Sequence, residues 1–516
     1  MRSETTTVKG DTKRTMTTDD LRSPSPASTI TSQAARSGGA MFFAKSIRFG
    51  FILIVNFILI NLLLPADFGM VRYVLLVVGI ANLLNEMGLT TAIVQKEDLD
   101  KGLLRPLIVI CTLWGLFIYA LLYTIAPFVA RYFATPELTP LLRVGSLMIP
   151  VTGISAVHRA WMRRKMAFGR LALIESAASV LSAGTSVALA FSGFGVWSLV
   201  AGYLVFEGVN STVLLVTCRI PAAPHPGRAL LTPLLTFGIA IVAARAIDYV
   251  LGNAPFFLIG KVIGKEGLGL FSVAHDMAIF PQMAINAALG LVLIATFSRV
   301  QSDPQKTASG FVRIQMTGAL VAVPVLLVMA LMPADLLHII CMIKKNSAWL
   351  GAAPLLRWLA FMGIFYVFTT FSAAIWLSQG KIAASAGVSL LMCISIIAAI
   401  IPGSRYGLEG IAAALLIRSI AVFPLYMYLN FLITRIPAGA YFSACIPSIV
   451  AGIAMTGVLY LFERFIPGGS RALNALRLAA GALAGSAVYL GILALFFRDA
   501  LVTVRQLLRS VVPQRE

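Results

Sequence analysis

Charge is scarce in this chain. Asp and Glu number 21 and Lys and Arg 41 among 516 residues, so 12% of the sequence is charged, about half of what an ordinary soluble domain carries. A soluble protein of this length would need several cores wrapped in charged surface. Histidine is rarer still, with four residues, and the five cysteines (Cys111, Cys218, Cys341, Cys393 and Cys445) lie far apart without CxxC spacing. They read as small core residues rather than a disulfide or zinc framework. GxxxxGK[ST], HExxH and GxSxG are absent, so direct ATP hydrolysis, that zinc-protease chemistry and the esterase elbow lack support. No cofactor is expected, and energy coupling must come from an ion gradient, of protons or sodium, or from the substrate gradient itself.

Apolar residues are abundant, at 59% of the chain, with a mean hydropathy of +0.89. They fall in repeated runs near the ~20 residues that cross ~30 Å of hydrocarbon. Fourteen spans are read, from Ile47–Leu64 and Val71–Val94 to Leu478–Phe497. The expectation is an all-α polytopic membrane protein, with Pro255 and Pro281 as candidate kinks inside long spans. Residues 1–40 hold 15 Ser or Thr and are expected to form a disordered tail. No apolar h-region precedes Met41, so a cleaved secretory signal is not expected.

Assigning alternate loops to opposite sides places 27 of the 41 Lys and Arg on the side of the two termini, which are therefore expected in the cytoplasm. The same bias accounts for the formal net charge of +20, and no basic run interleaves with aromatics as nucleic-acid binding would need. After residue 40 the loops are too short to fold as separate domains. A weak internal echo is present: Gly69 opens the second span and Gly269 the eighth, 200 residues apart, and Gly88 and Gly290 follow them. Such an echo suits duplicated six-helix halves. The expected boundaries are 1–40 (tail), 41–228 (first lobe with a cytoplasmic linker), 229–436 (second lobe), 437–500 (two added spans) and 501–516 (cytoplasmic tail).

An ionisable group at mid-membrane costs roughly 2.5–3.5 kcal/mol on insertion scales and marks a cavity or a partner. Arg245, Asp248, Glu207 and Arg418 sit near the middle of their spans, with Glu86 and Asp276 off-centre. Arg245 and Asp248, three apart, could neutralise each other on one helix. Arg418 has no acid within four positions and must find a partner elsewhere, or an anion. Glu86, Glu207, Asp248 and Asp276 are candidates for ion coupling; Glu86 and Glu207 could equally be carboxylates held by an arginine or by Asn56, Asn82 or Asn85. The run His158, Arg159, Arg163, Arg164 and Lys165 is expected on a cytoplasmic loop, as a topology anchor at the anionic leaflet in preference to a phosphate site.

Several stretches resemble one family. They are Leu64-Pro65-Ala66-Asp67-Phe68-Gly69 with Glu86-Met87-Gly88-Leu89-Thr90-Thr91, then Ala126-Pro127-Phe128-Val129-Ala130 with Arg163-Arg164-Lys165-Met166-Ala167-Phe168. Gly193-Phe194-Gly195-Val196-Trp197-Ser198 and Leu268-Gly269-Leu270-Phe271-Ser272-Val273-Ala274 continue the pattern. In these runs the chain resembles polysaccharide flippases of the Wzx type, in the multidrug/oligosaccharidyl-lipid/polysaccharide (MOP) exporter superfamily. The resemblance implies two six-helix lobes around a cationic cavity plus two extra helices, working by alternating access in the bacterial inner membrane. It implies undecaprenyl-diphosphate-linked oligosaccharide as substrate, and a polysaccharide polymerase complex as a partner to test for. Arg245, Arg418 and Arg48 are then the candidates to neutralise the diphosphate. Where the pattern leads one to expect a basic residue in the eighth span, this chain has His275-Asp276. The competing readings are an ion-coupled exporter of small molecules and a membrane polymerase or ligase acting on the same glycans, the latter disfavoured by short loops.

Overall fold

A computed structural model describes residues 51, 54–85, 90, 93–94, 100–221, 231–300, 304–341, 347–372, 375–376, 381–434, 436–466 and 469–503. Among them every regular element is helical. In chain order these are α1 (54–62), α2 (Pro65–Asn85), α3 (Leu104–Tyr132), α4 (Leu138–Gly145), α5 (Met148–Arg164), α6 (Phe168–Phe191), α7 (Val196–Thr217) and α8 (Leu231–Val262). There follow α9 (Lys265–Val300), α10 (Pro304–Leu331), α11 (Pro333–Ile340), α12 (Ala353–Val367), α13 (Ile382–Gly403), α14 (Gly407–Thr434), α15 (Ala438–Phe465) and α16 (Arg471–Phe496).

Eleven segments among the described residues are long and apolar enough to cross a membrane. One of these, of 52 residues, is α13 and α14 joined by a short 3₁₀ turn. With α8 and the helical residues 54–62, these segments occupy the fourteen spans expected from the sequence. Large apolar side chains face outward, as the lipid-facing surface of a bundle requires: Leu173 is 70% exposed and Leu483 72%. All five cysteines are buried and none is in a disulfide among the described residues, in keeping with their reading as core residues.

Two local expectations are corrected. The span expected as one helix over Leu141–Ala160 is broken into α4 and α5. At the break, Gly145 lies against α2 so closely that a Cβ there would sit 2.7 Å from Val74 Cγ1. The basic run from His158 to Arg164 is not on a loop: it forms the last two turns of α5, with His158 buried. An i, i+4 stripe of Thr152, Ala156 and Ala160 carries the helix on past the apolar run. Pro255 and Pro281 both lie within continuous helices.

α2 packs along α9 and also touches α8, so the second span of the chain bridges to the seventh and eighth. The approach centres on two glycines. A Cβ on Gly69 would overlap the Lys265 carbonyl and lie 3.1 Å from Gly269 N, and a Cβ on Gly269 would overlap the Pro65 carbonyl and lie 3.1 Å from Gly69 N. The 200-residue echo is thus a reciprocal contact between the first turns of two helices, which only residues without a Cβ permit. Gly88 lies outside the described residues, as does the packing around Gly290.

α15 packs on α10, and α16 on α15 and α11. The last helix is fastened by a buried bidentate pair, Arg477 Nε to Asp335 Oδ2 at 2.8 Å and Nη2 to Oδ1 at 2.5 Å. A separate pair, Arg357 of α12 and Glu463 of α15, ties those two helices at 2.8 Å.

Candidate functional site

The apolar contact between the two halves carries a set of polar ties towards one end of the bundle. Tyr73 OH donates to the Gly260 carbonyl at 2.7 Å, and Trp349 Nε1 to the Leu63 carbonyl at 3.1 Å. Lys265 pairs with Glu137 at 3.2 Å, and Lys261 Nζ lies 4.5 Å from the Tyr132 ring centroid while donating to the Tyr132 carbonyl. One turn beyond Gly69, Arg72 reaches across from α2 to α9. It donates to Ser272 Oγ at 3.0 Å and to Asp276 Oδ1 at 2.8 Å, and its guanidinium lies 4.1 Å from the centroid of Phe256. His275 Nδ1 stands 3.6 Å from the same carboxylate. Deeper still, Tyr249 OH donates to the Leu75 carbonyl at 3.0 Å and covers Gly79.

Arg245 precedes Tyr249 by one turn and Phe256 by eleven residues, placing it on the face of α8 that continues these contacts to α2. It is exposed. The backbone of Asp248 is helical, but its side chain lies outside the described residues, so the expected Arg245–Asp248 pair is not addressed; Arg48 and Glu86 lie outside as well.

Arg418 occupies a different position. It lines a cavity of about 400 Å³ enclosed by α8, α9, α12, α13 and α14 of the second half. Its Nε donates to Ser395 Oγ at 2.8 Å and its Nη2 to the Met392 carbonyl at 2.9 Å, with Met392 Sδ at 3.1 Å. Every one of these partners is neutral, so among the described residues its charge is not offset by a carboxylate. The same lining is rich in aromatics: Phe365 and Phe423 meet edge to face at 5.4 Å, and Trp376 and Tyr426 lie 5.5 Å apart.

Glu207 faces a smaller, polar cavity of about 210 Å³ within the first half, formed by α2, α5 and α7. Its arginine partner is Arg159, at 3.4 Å, and not Arg245 or Arg418. Asn82, Asn85 and Thr152 join this network, with Asn85 Nδ2 donating to the Ile149 carbonyl at 3.0 Å and Thr152 Oγ1 to Asn82 Oδ1 at 3.2 Å.

Thus the structure separates the predicted residues into three places: Arg245 and Asp276 at the contact between halves, Arg418 in the second-half cavity, and Glu207 in the first. Arg72, Arg159 and Arg163 were not singled out from the sequence as cavity residues. Arg72 was legible only through the Gly69–Gly269 echo, which aligns it with Ser272 one turn on.

The family of polysaccharide biosynthesis proteins matches residues 58–353, more than half of the chain and the whole of the α2–α9 contact. The chain belongs to that family. This polysaccharide biosynthesis protein is 25% identical over 414 residues to the teichuronic acid biosynthesis protein TuaB of Bacillus subtilis, covering 78% of this chain and 84% of TuaB. It is 26% identical over 493 residues to the succinoglycan biosynthesis transport protein ExoT of Rhizobium meliloti, covering 93% and 96%. Among solved structures, the inward closed conformation of the lipid II flippase MurJ superposes with a TM-score of 0.69 at 15% identity, covering 88% of this chain and 99% of that one. At that identity the likeness establishes the fold. The polysaccharide biosynthesis protein is therefore an all-α, multi-pass membrane protein whose helices superpose on those of MurJ.

Proposed function

We propose that this protein flips undecaprenyl-diphosphate-linked oligosaccharide units across the bacterial inner membrane, by alternating access, for the assembly of a polysaccharide. The observation that carries the reading is the contact between α2 and α9: two pseudo-equivalent helices meet glycine to glycine, and around them stand hydrogen bonds and ion pairs that can part and re-form. The charge asymmetry of the loops supports a placement of this contact away from the cytoplasm, which would make the described state the one closed to the outside. Loading from the cytoplasm, separation of Arg72 from Asp276 and release would complete a cycle. The head group would pass between the lobes, with Arg245 on the facing surface neutralising diphosphate charge and the lipid tail remaining in the bilayer. Arg418, whose described partners are all neutral, offers a further cation to the sugars or to the diphosphate.

The relatives' roles in teichuronic acid and succinoglycan biosynthesis, and MurJ's as a lipid II flippase, support this class of substrate. No covalent chemistry is required of the protein. Coupling to a proton or to sodium has a natural place at Asp276, since a proton or cation there would compete with Arg72 for the carboxylate. The direct test is deletion of the gene followed by sidedness analysis of lipid-linked oligosaccharide. Complete repeat units trapped on the cytoplasmic face support the proposal. Units that reach the periplasm and stay unpolymerised would contradict it in favour of a polymerase, and an unchanged lipid-linked pool would contradict it in favour of a small-molecule exporter.

A further inference from the structure

Among its described lining residues, the polar cavity of the first half holds two arginines and one carboxylate. Arg159 and Arg163 stand one turn apart on α5, an i, i+4 spacing that puts both on one face. Both line the cavity, and Glu207 from α7 is the one carboxylate among its described lining residues. The Glu207–Arg159 pair, at 3.4 Å, is longer than the roughly 2.7–2.9 Å of a tight charge-assisted bond. Arg159 Nε is buried and makes no hydrogen bond among the described residues. Arg163 has no hydrogen-bond or ion-pair partner among them either, and Asn82, whose Oδ1 accepts from Thr152, also lines the cavity.

A buried donor left without an acceptor costs free energy, and two guanidinium groups against one carboxylate leave a net positive charge. The space, about 210 Å³, is several times the roughly 30 Å³ that a water molecule takes up in the liquid. A tetrahedral anion fits within it and would satisfy these donors together, because phosphate oxygens match the fork of a guanidinium. We propose that this cavity binds a phosphate-class anion, and that Glu207 occupies Arg159 until the anion displaces it. The phosphate can belong to a free diphosphate or to a lipid head group; the recognising chemistry is the same. The site lies within one half of the molecule, away from the glycine contact, and its occupancy can be measured without transport. Failure of the flipping proposal therefore leaves this one standing, and the converse holds as well.

The test uses the full-length purified protein in detergent. Inorganic pyrophosphate is titrated by calorimetry at constant ionic strength with chloride as control, and co-purifying lipids are read by native mass spectrometry. The expected result is saturable pyrophosphate binding that chloride does not reproduce. Arg163→Gln should weaken it about tenfold or more, the loss of a charged hydrogen-bonding group, and Glu207→Gln should tighten it by removing the competing charge. Arg163 is exposed, so its replacement does not disturb buried packing. Absence of pyrophosphate binding, with an anionic phospholipid retained by the wild type and lost from Arg163→Gln, assigns the phosphate to a lipid head group and supports the same site. Equal affinity in wild type and Arg163→Gln overturns the proposal, as does unchanged or weaker binding in Glu207→Gln, or the absence of both pyrophosphate binding and retained phospholipid. Arg163→Lys serves as a second variant: it keeps the charge without the fork, so several-fold weaker binding is expected and unchanged binding overturns the site.

Discussion

Arg72 and Asp276, 204 residues apart in sequence, form a 2.8 Å ion pair that joins α2 of the first half to α9 of the second. The carboxylate is 64% exposed while the guanidinium is 19% exposed and stacked on Phe256. A pair this accessible holds weakly, which suits a contact that must open in every cycle. Its removal should cost about 1 kcal/mol, or roughly a fivefold change in the balance of closed and open states. Arg72→Gln and Asp276→Asn should each raise the labelling rate of a cysteine placed at Glu137, at the same end of the bundle, and the double swap Arg72→Asp with Asp276→Arg should return it towards wild type. Unchanged labelling in both single variants would remove the pair from the opening step.

The glycine contact allows no such tolerance. Gly69→Ala and Gly269→Ala each drive a methyl group into a backbone carbonyl of the partner helix, an overpacking cost of about 1–3 kcal/mol. Transport should fall steeply in either variant while membrane insertion stays normal. Gly208, with nothing within 4 Å of an added Cβ, is the control at which alanine should be silent. Protein level by immunoblot alongside polysaccharide export checks both statements.

Asp335 and Arg477 fasten α16 to α11, and the carboxylate is 2% exposed. Removing one partner leaves a buried charge alone, worth about 3–5 kcal/mol, whereas replacing both with apolar side chains is close to neutral. Asp335→Ala and Arg477→Met should each lower the thermal midpoint of the detergent-solubilised protein. The combination Asp335→Leu with Arg477→Met should recover much of the loss.

Arg418→Ala and Arg245→Ala should abolish export at normal protein level, and lysine at either position should retain partial function if charge alone is needed. At Arg418 the rescue should be the poorer one. Its Nε and Nη2 are both held, by Ser395 and by the Met392 carbonyl, and lysine cannot reproduce that fork. Export of wild-type polymer by both alanine variants would exclude these residues from the transport path.

The span plan was legible because membrane helices announce themselves by length and apolarity, and even α8, with Arg245 and Asp248 inside it, did so. Arg418 was legible for the same reason: a cation with no acid nearby on its own helix stands out. Arg72 was not, since it falls at the second residue of its expected span, where an arginine can reach water, and its partner lies on another helix. The basic residues of α5 were misplaced onto a loop because charge ended the apolar run before the helix ended. Arg159 and Arg163 stay helical there beside a polar cavity that both line, which hydropathy alone does not reveal. Glu207 could be recognised as costly, but its arginine is 48 residues away and only the packing of α5 on α7 identifies it.

The most direct measurement is translocation of a fluorescent undecaprenyl-diphosphate oligosaccharide in proteoliposomes containing the purified protein, read by loss of accessibility to an external glycosidase. The account predicts protein-dependent translocation that is lost with Gly69→Ala and preserved with Gly208→Ala. Translocation equal to that of empty liposomes, under conditions where the reconstituted protein is folded, would contradict it.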